Sequence, residues 1–186
     1  SQLAQAVVKP AKNISWTVNY YSGQEQQDLN RLFQAGSSNS LLRPTPRGRF
    51  HILDTYAFWN VTEKLTLGGE LDSVINRVES NSAPQRITGG AAYFRYQLTP
   101  KTYFGQRYAR LNDRAGLFSG TSQNLNDLTS TFGFRLADGF ETRIEYRRDF
   151  SNRLFFLRSN PDSLSKHQDT FTLGLLWWFG GKNGGW

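Results

Sequence analysis

The sequence predicts an all-β fold: an antiparallel, up-and-down transmembrane β-barrel with about eight strands in this chain. Three observations predict it. Every strong hydropathy pattern in the 186 residues repeats with a period of two. Long polar connections alternate with tight ones along the chain. Aromatic residues, 15% of the total, gather towards the ends of the patterned segments.

Taken in order, residues 1–11 read as an N-terminal tail or a linker from preceding strands. The first strand sets Ile14, Trp16, Val18 and Tyr20 against Asn13, Ser15, Thr17 and Asn19. Residues 49–61 form a second, turn-bounded and aromatic, with mixed parity. The third opposes Leu65, Leu67, Gly69, Leu71 and Ile75 to Thr66, Gly68, Glu70, Asp72 and Asn76. Residues 86–99 and 102–113 supply the fourth and fifth, again with mixed parity. The sixth opposes Leu128, Phe132, Phe134 and Leu136 to Asp127, Thr129, Thr131, Gly133 and Arg135. The seventh, Phe140 to Ser151, carries Glu141, Arg143, Glu145, Arg147 and Asp149 on one face and Phe140, Ile144, Tyr146 and Phe150 on the other. The eighth places Phe171, Leu173, Leu175, Trp177 and Phe179 together. The barrel therefore occupies 12–179, ending on an outward aromatic at Phe179, and 180–186 form a short periplasmic tail.

The connections carry as much information as the strands. Polar stretches at roughly 26–48, 79–85, 114–125 and 152–166 follow the odd strands, whereas Val61–Lys64, Thr99–Lys101 and Ala137–Gly139 tightly join the others. Long loops at one end and short links at the other match an outer-membrane barrel. The longest apolar run, Leu173 to Phe179, is far below the roughly 20 residues of a spanning helix. The absence of cysteine excludes disulfide scaffolds, Cys-liganded metal sites and thiol nucleophiles.

Period two does not say which face points outward. A soluble barrel would turn its apolar face inward, and a membrane barrel inverts this. Trp16, Tyr20, Trp59, Tyr96, Tyr108, Tyr146 and Trp177 lie mostly near strand ends, as an interfacial girdle requires. Strands of about 10–14 residues suit a tilted crossing. Both features, with the unequal loops, favour the membrane.

In that orientation the charged face lines the lumen. Glu141, Arg143, Glu145, Arg147 and Asp149 share one face, joined by Glu70, Asp72, Arg95, Arg107 and Arg135 from neighbouring strands. Glu145 is expected to compensate both Arg143 and Arg147. In a wide barrel such a mesh lines a permeation path; in an eight-strand barrel it fills the interior. Arg77, Arg110 and Arg148 fall near the long-loop ends on the outward face, where guanidinium groups can reach lipopolysaccharide phosphates or simply snorkel to water.

Enzyme readings are poor. His51 and His167 make no metal-ligand spacing, and Ser165-Lys166-His167 is sequence adjacency rather than a triad. Each ladder carboxylate has an arginine two residues away, so no metal, cofactor or catalytic group is expected. The net charge of +7 is dispersed rather than clustered into a nucleic-acid-binding element.

The chain also resembles the OmpL-like β-barrel porins of Gram-negative outer membranes. The resemblance rests on Trp16-Thr17-Val18-Asn19-Tyr20-Tyr21 with Gly23-Gln24-Glu25, on Arg107, Asp113 and Gly116, on the Arg143-to-Ser151 run, and on Trp177-Trp178-Phe179-Gly180. It implies a C-terminal portion of a larger barrel, with further strands or chains completing it. Ala109 departs from the pattern, which more often has an acid there. The expected function is a passive porin-like channel with a mixed-charge lumen, passing small solutes or ions. The alternative is a non-conducting, membrane-anchored structural or adhesion barrel whose long loops bind a partner.

Overall fold

A computed structural model of the chain describes residues 1–24, 29–33, 40–44, 48–77, 80–160 and 163–178. Its strands are β1 (Gln2–Ala11), β2 (Ile14–Gly23), β3 (Leu29–Phe33), β4 (Ser40–Pro44), β5 (Phe50–Asn60), β6 (Leu65–Asn76) and β7 (Gln85–Thr99). They continue with β8 (Thr102–Asp113), β9 (Gln123–Ala137), β10 (Phe140–Ser151), β11 (Phe156–Leu157), β12 (Leu164–Ser165) and β13 (His167–Trp177). Nine of them form one sheet in the order β1-β2-β5-β6-β7-β8-β9-β10-β13, so neighbours in the sheet follow one another along the chain. Two small hairpins, β3–β4 and β11–β12, occupy long connections.

The eight expected strands are all present, and Gln2–Ala11 adds a ninth. Those residues, expected as a tail, pair antiparallel with β2 from Gln2↔Ser22 to Ala11↔Ile14. The alternation of β1 is blunted by Gln2, Ala4 and Ala6, and Pro10 sits where the register shifts between Val8 and Ala11. Proline is tolerated at such an irregularity because no ladder bond is asked of its missing N–H there. The expected Phe179 end and the 180–186 tail lie outside the described residues.

Burial is inverted relative to a water-soluble domain. Asp113 is fully buried, and Asp127, Glu141 and Asp149 are buried with it. Leu71, Leu173, Leu175 and Trp177, on the opposite parity, are about two-thirds exposed or more. The sheet therefore curls around its charged face. Ridges of Leu, Phe and Trp on the outer face suit hydrocarbon, where a closed ladder satisfies the backbone internally.

The mixed-parity strands gain a facing through their registers. On β7, Ile87, Gly89, Ala91, Tyr93 and Arg95 point inward; on β8 the inward residues are Tyr103, Gly105, Arg107, Ala109 and Leu111. An interior that accepts small residues and rings as well as charges hides the alternation from a hydropathy reading.

One tight link shows how local geometry sets the wall. Gly139 adopts φ +80° in the two-residue turn between β9 and β10. The register shift at Phe140/Glu141 then puts Arg135 opposite Glu141. A glycine in the left-handed region beside a bulge is a standard hairpin solution.

Candidate functional site: a charged inner wall

The ten residues expected to line the lumen, Glu70, Asp72, Arg95, Arg107, Arg135, Glu141, Arg143, Glu145, Arg147 and Asp149, fall on one face of the sheet by parity and register. Arg110 and Arg148 fall on the other. Arg77, just beyond β6, continues the outward parity of Ser73 and Ile75.

The ladder on β10 is divided into two pairs. Arg143 Nε donates to Glu141 Oε1 at 2.7 Å, and Arg147 Nε donates to Asp149 Oδ1 at 2.8 Å. Glu145, between them, instead accepts from the Thr131 hydroxyl at 3.0 Å. The expectation that Glu145 compensates both arginines is thus corrected. Its neighbours already have carboxylates on their far sides, and β9 presents a hydroxyl directly opposite at Thr131.

Around the wall the polar contacts run from strand to strand. Gln5 donates to Asn19 at 2.8 Å, and Asn19 donates to Asp54 at 2.6 Å. The Tyr93 hydroxyl donates to Glu70. Arg107 Nη1 donates to both oxygens of Asp127 at 3.0 Å, and Gln168 donates to Asp149 at 2.9 Å. Arg95 lies over the Tyr103 ring with 4.2 Å to the centroid, a cation–π contact. Tyr103 in turn donates to Glu141 at 2.9 Å.

Asp54, Tyr93, Arg107 and Glu145 each lie five or six residues from the short-link end of their strands. Glu141 lies one residue and Asp149 nine residues from the same end of β10, so the polar contacts extend above and below this level over most of the wall's height.

Charge compensation is uneven within this wall. Carboxylate oxygens of Asp54, Glu70 and Asp72 all lie within 4.8 Å of one another. Among the described residues, none of these three has an ion pair, whereas Asp127, Glu141 and Asp149 each have an arginine. The wall thus carries an anionic patch on β5 and β6 and a compensated mesh on β8 to β10. Asp54 was missed by the sequence reading. Only the register Asp54↔Asp72 reveals it, because the parity of residues 49–61 is mixed.

Above the band, towards the long loops, the interior changes character. Phe156, in the β11–β12 hairpin, is buried and packs edge-on against Phe155 at 5.3 Å. Both line an inner recess of about 380 Å³ that reaches Gly89, Ala109, Asp127 and Asp149. The Asp113 carboxylate closes the β8–β9 connection by accepting from the N–H groups of Leu117, Phe118 and Ser119 and from the Ser119 hydroxyl. Ser165 is buried, and its hydroxyl accepts from the His167 backbone N–H at 3.2 Å.

Comparison with known proteins gives three findings. No curated protein matches the chain. Two solved structures share its fold: "Outer-membrane expressed OmpT of Vibrio cholerae", at 10% identity and TM-score 0.62 over 95% of this chain, and "OmpT (in-vitro folded), an outer membrane protein Vibrio cholerae (trimer form)", at 11% identity and TM-score 0.58 over 94%. The chain spans 57% and 54% of those two structures, a little over half of each. Residues 1–179 match the family described as Putative beta-barrel porin-2, OmpL-like, and the chain belongs to that family, as a β-barrel protein of the bacterial outer membrane.

Proposed function

We propose that the protein is a passive, non-catalytic channel for small polar solutes or ions, whose lumen is lined by the charged band. The observation that carries this reading is the inverted wall: hydrogen-bonded charge and amide groups cross the inner face from β1 to β13. A barrel that needed only to anchor itself gains nothing from an uncompensated acidic cluster, since like charges in proximity destabilise a packed interior.

Strand polarity supports a pore wider than nine strands would form. Every neighbouring pair in the sheet is antiparallel, so the first and last of nine strands run in the same direction. β1 and β13 cannot close on one another antiparallel. A second copy of this chain fails as well, because a two-fold axis along the membrane normal leaves strand direction unchanged. Antiparallel closure takes an odd number of further strands. Scaling nine strands by the 57% coverage of the matched outer-membrane structure gives about sixteen in all. Barrels of about that size leave an aqueous channel, while those of about eight strands are filled by side chains.

The test is conductance of the full-length protein in planar bilayers under a salt gradient. The double substitution Glu70→Gln/Asp72→Asn removes part of the unpaired anionic patch and is expected to shift the reversal potential towards anion permeation; Arg147→Gln is expected to shift it towards cations. Conductance with neither shift would show that the band lies off the permeation path. No conductance at all would favour the anchored, loop-binding alternative.

A further inference from the structure

The outer face carries a second polar assembly that the channel does not use. Tyr20, His51, Ser73, Arg77 and Arg86 border a recess of about 480 Å³, floored by Leu53, Ile75 and Pro84. It lies where β2, β5, β6 and β7 meet their long connections. His51 is the second residue of β5, Ile75 the last but one of β6, and Arg86 the second of β7. The register His51↔Ile75↔Arg86 places these three side by side across the sheet. Ile87, next along β7, is almost completely buried, which fixes Arg86 on the lipid-facing side.

The geometry points to a site for a phosphate of lipopolysaccharide, the acylated, phosphorylated sugar lipid of the outer leaflet. Two guanidinium groups and an imidazole converge there, and no carboxylate lines the recess among the described residues. Arg77 is held in place by donation from Nη1 to the Ser82 carbonyl at 2.9 Å. Tyr20 and His51 share a 2.7 Å hydrogen bond between the hydroxyl and Nδ1, which fixes the ring and leaves Nε2 as its other polar atom. Planar guanidinium groups match phosphate oxygens, and these bonds are strongest at the edge of a low-dielectric phase. From Leu53 in its floor, the exposed side chain of Leu71 continues an apolar track for an acyl chain.

The same criteria separate the three outward arginines. Arg148 has a carboxylate partner, Asp169, at 3.5 Å, and Arg110 does not border this recess. Of the three, only Arg77 belongs to a converging cationic group, and Arg86 and His51 join it.

Native mass spectrometry of the full-length, detergent-purified protein tests the assignment, using bis-phosphorylated lipid A, the same lipid stripped of phosphate, and inorganic phosphate. Arg77→Gln/Arg86→Gln should weaken retention of phosphorylated lipid A about tenfold or more, as expected for the loss of two charge-assisted bonds. Arg148→Gln should change it less than twofold. Inorganic phosphate at millimolar concentration should not displace the lipid. Heat-modifiable gel migration checks that each variant is folded. Equal retention of the phosphate-free lipid, or unaltered binding by the folded double variant, would overturn the site as a phosphate receptor. Displacement by inorganic phosphate would overturn the lipid as its ligand.

Discussion

Glu141 is where three strands meet through side chains. It accepts from Tyr103 on β8 and from Arg143 on its own strand, and it faces Arg135 across the β9 bulge. Glu141→Gln keeps the shape and removes the charge, leaving the guanidinium without its counter-charge. The Arg143 side chain is 43% exposed, so solvent screening keeps the cost below that of a fully buried pair. A loss of about 1–3 kcal/mol is expected, read from urea unfolding of the folded barrel followed by gel migration. The alternation that put Glu141 on the inner face was plain in the sequence, since five ionic residues at spacing two can share a face only on a strand. Their pairing was not. Which carboxylate meets which arginine depends on Thr131 and Tyr103 of neighbouring strands, and spacing along one strand does not encode register between strands.

At the scale of strands, rings laid over glycines lock neighbours together. The Tyr103 ring of β8 lies against Gly133 of β9, where an added Cβ would stand 2.1 Å from Cε1. Phe58 of β5 covers Gly68 of β6 likewise, at 2.6 Å. Gly133→Ala therefore has to move the Tyr103 ring, and with it the Tyr103–Glu141 hydrogen bond and the Arg95 cation–π contact. The expected cost is about 1–3 kcal/mol. In a double-mutant cycle, adding Tyr103→Ala should cost clearly less in the Gly133→Ala background than in the wild type, because the displaced ring has already lost those contacts. Additive losses in urea unfolding would show that the ring and the glycine act independently. These contacts explain why the mixed-parity strands were hard to read. Tyr103, Tyr93 and Ile87 look like lipid-facing residues, yet they point inward, and Gly133 and Gly68 make room for the two tyrosines. β1 was missed for the opposite reason: its ten residues are all exposed, and their weak alternation gives no buried face to detect.

For the whole molecule, fold class and membrane orientation were legible because loop asymmetry and hydropathy period act over the full length. Strand number around a closed barrel was not legible, since it is a property of both seams. Four of the five tryptophans, Trp16, Trp59, Trp177 and Trp178, lie close to the short-link ends of β2, β5 and β13 and are exposed on the structure. Trp16 and Trp59 stand on adjacent strands within three residues of Ile14 and Asn60. Tyrosines 20, 108 and 146 occupy the opposite, long-loop half of their strands. The two rims therefore differ optically. Excitation near 295 nm, where tyrosine barely absorbs, will among the described residues sample only the periplasmic boundary, which makes the protein's own emission a leaflet-specific depth gauge. In vesicles carrying uniformly oriented protein, bromine near the headgroup end of the chains in the leaflet that the short links face should quench strongly, and bromine in the opposite leaflet weakly. Equal quenching from either leaflet would mean the tryptophans are spread over both rims, and would refute the strand polarity on which the two faces of the wall depend.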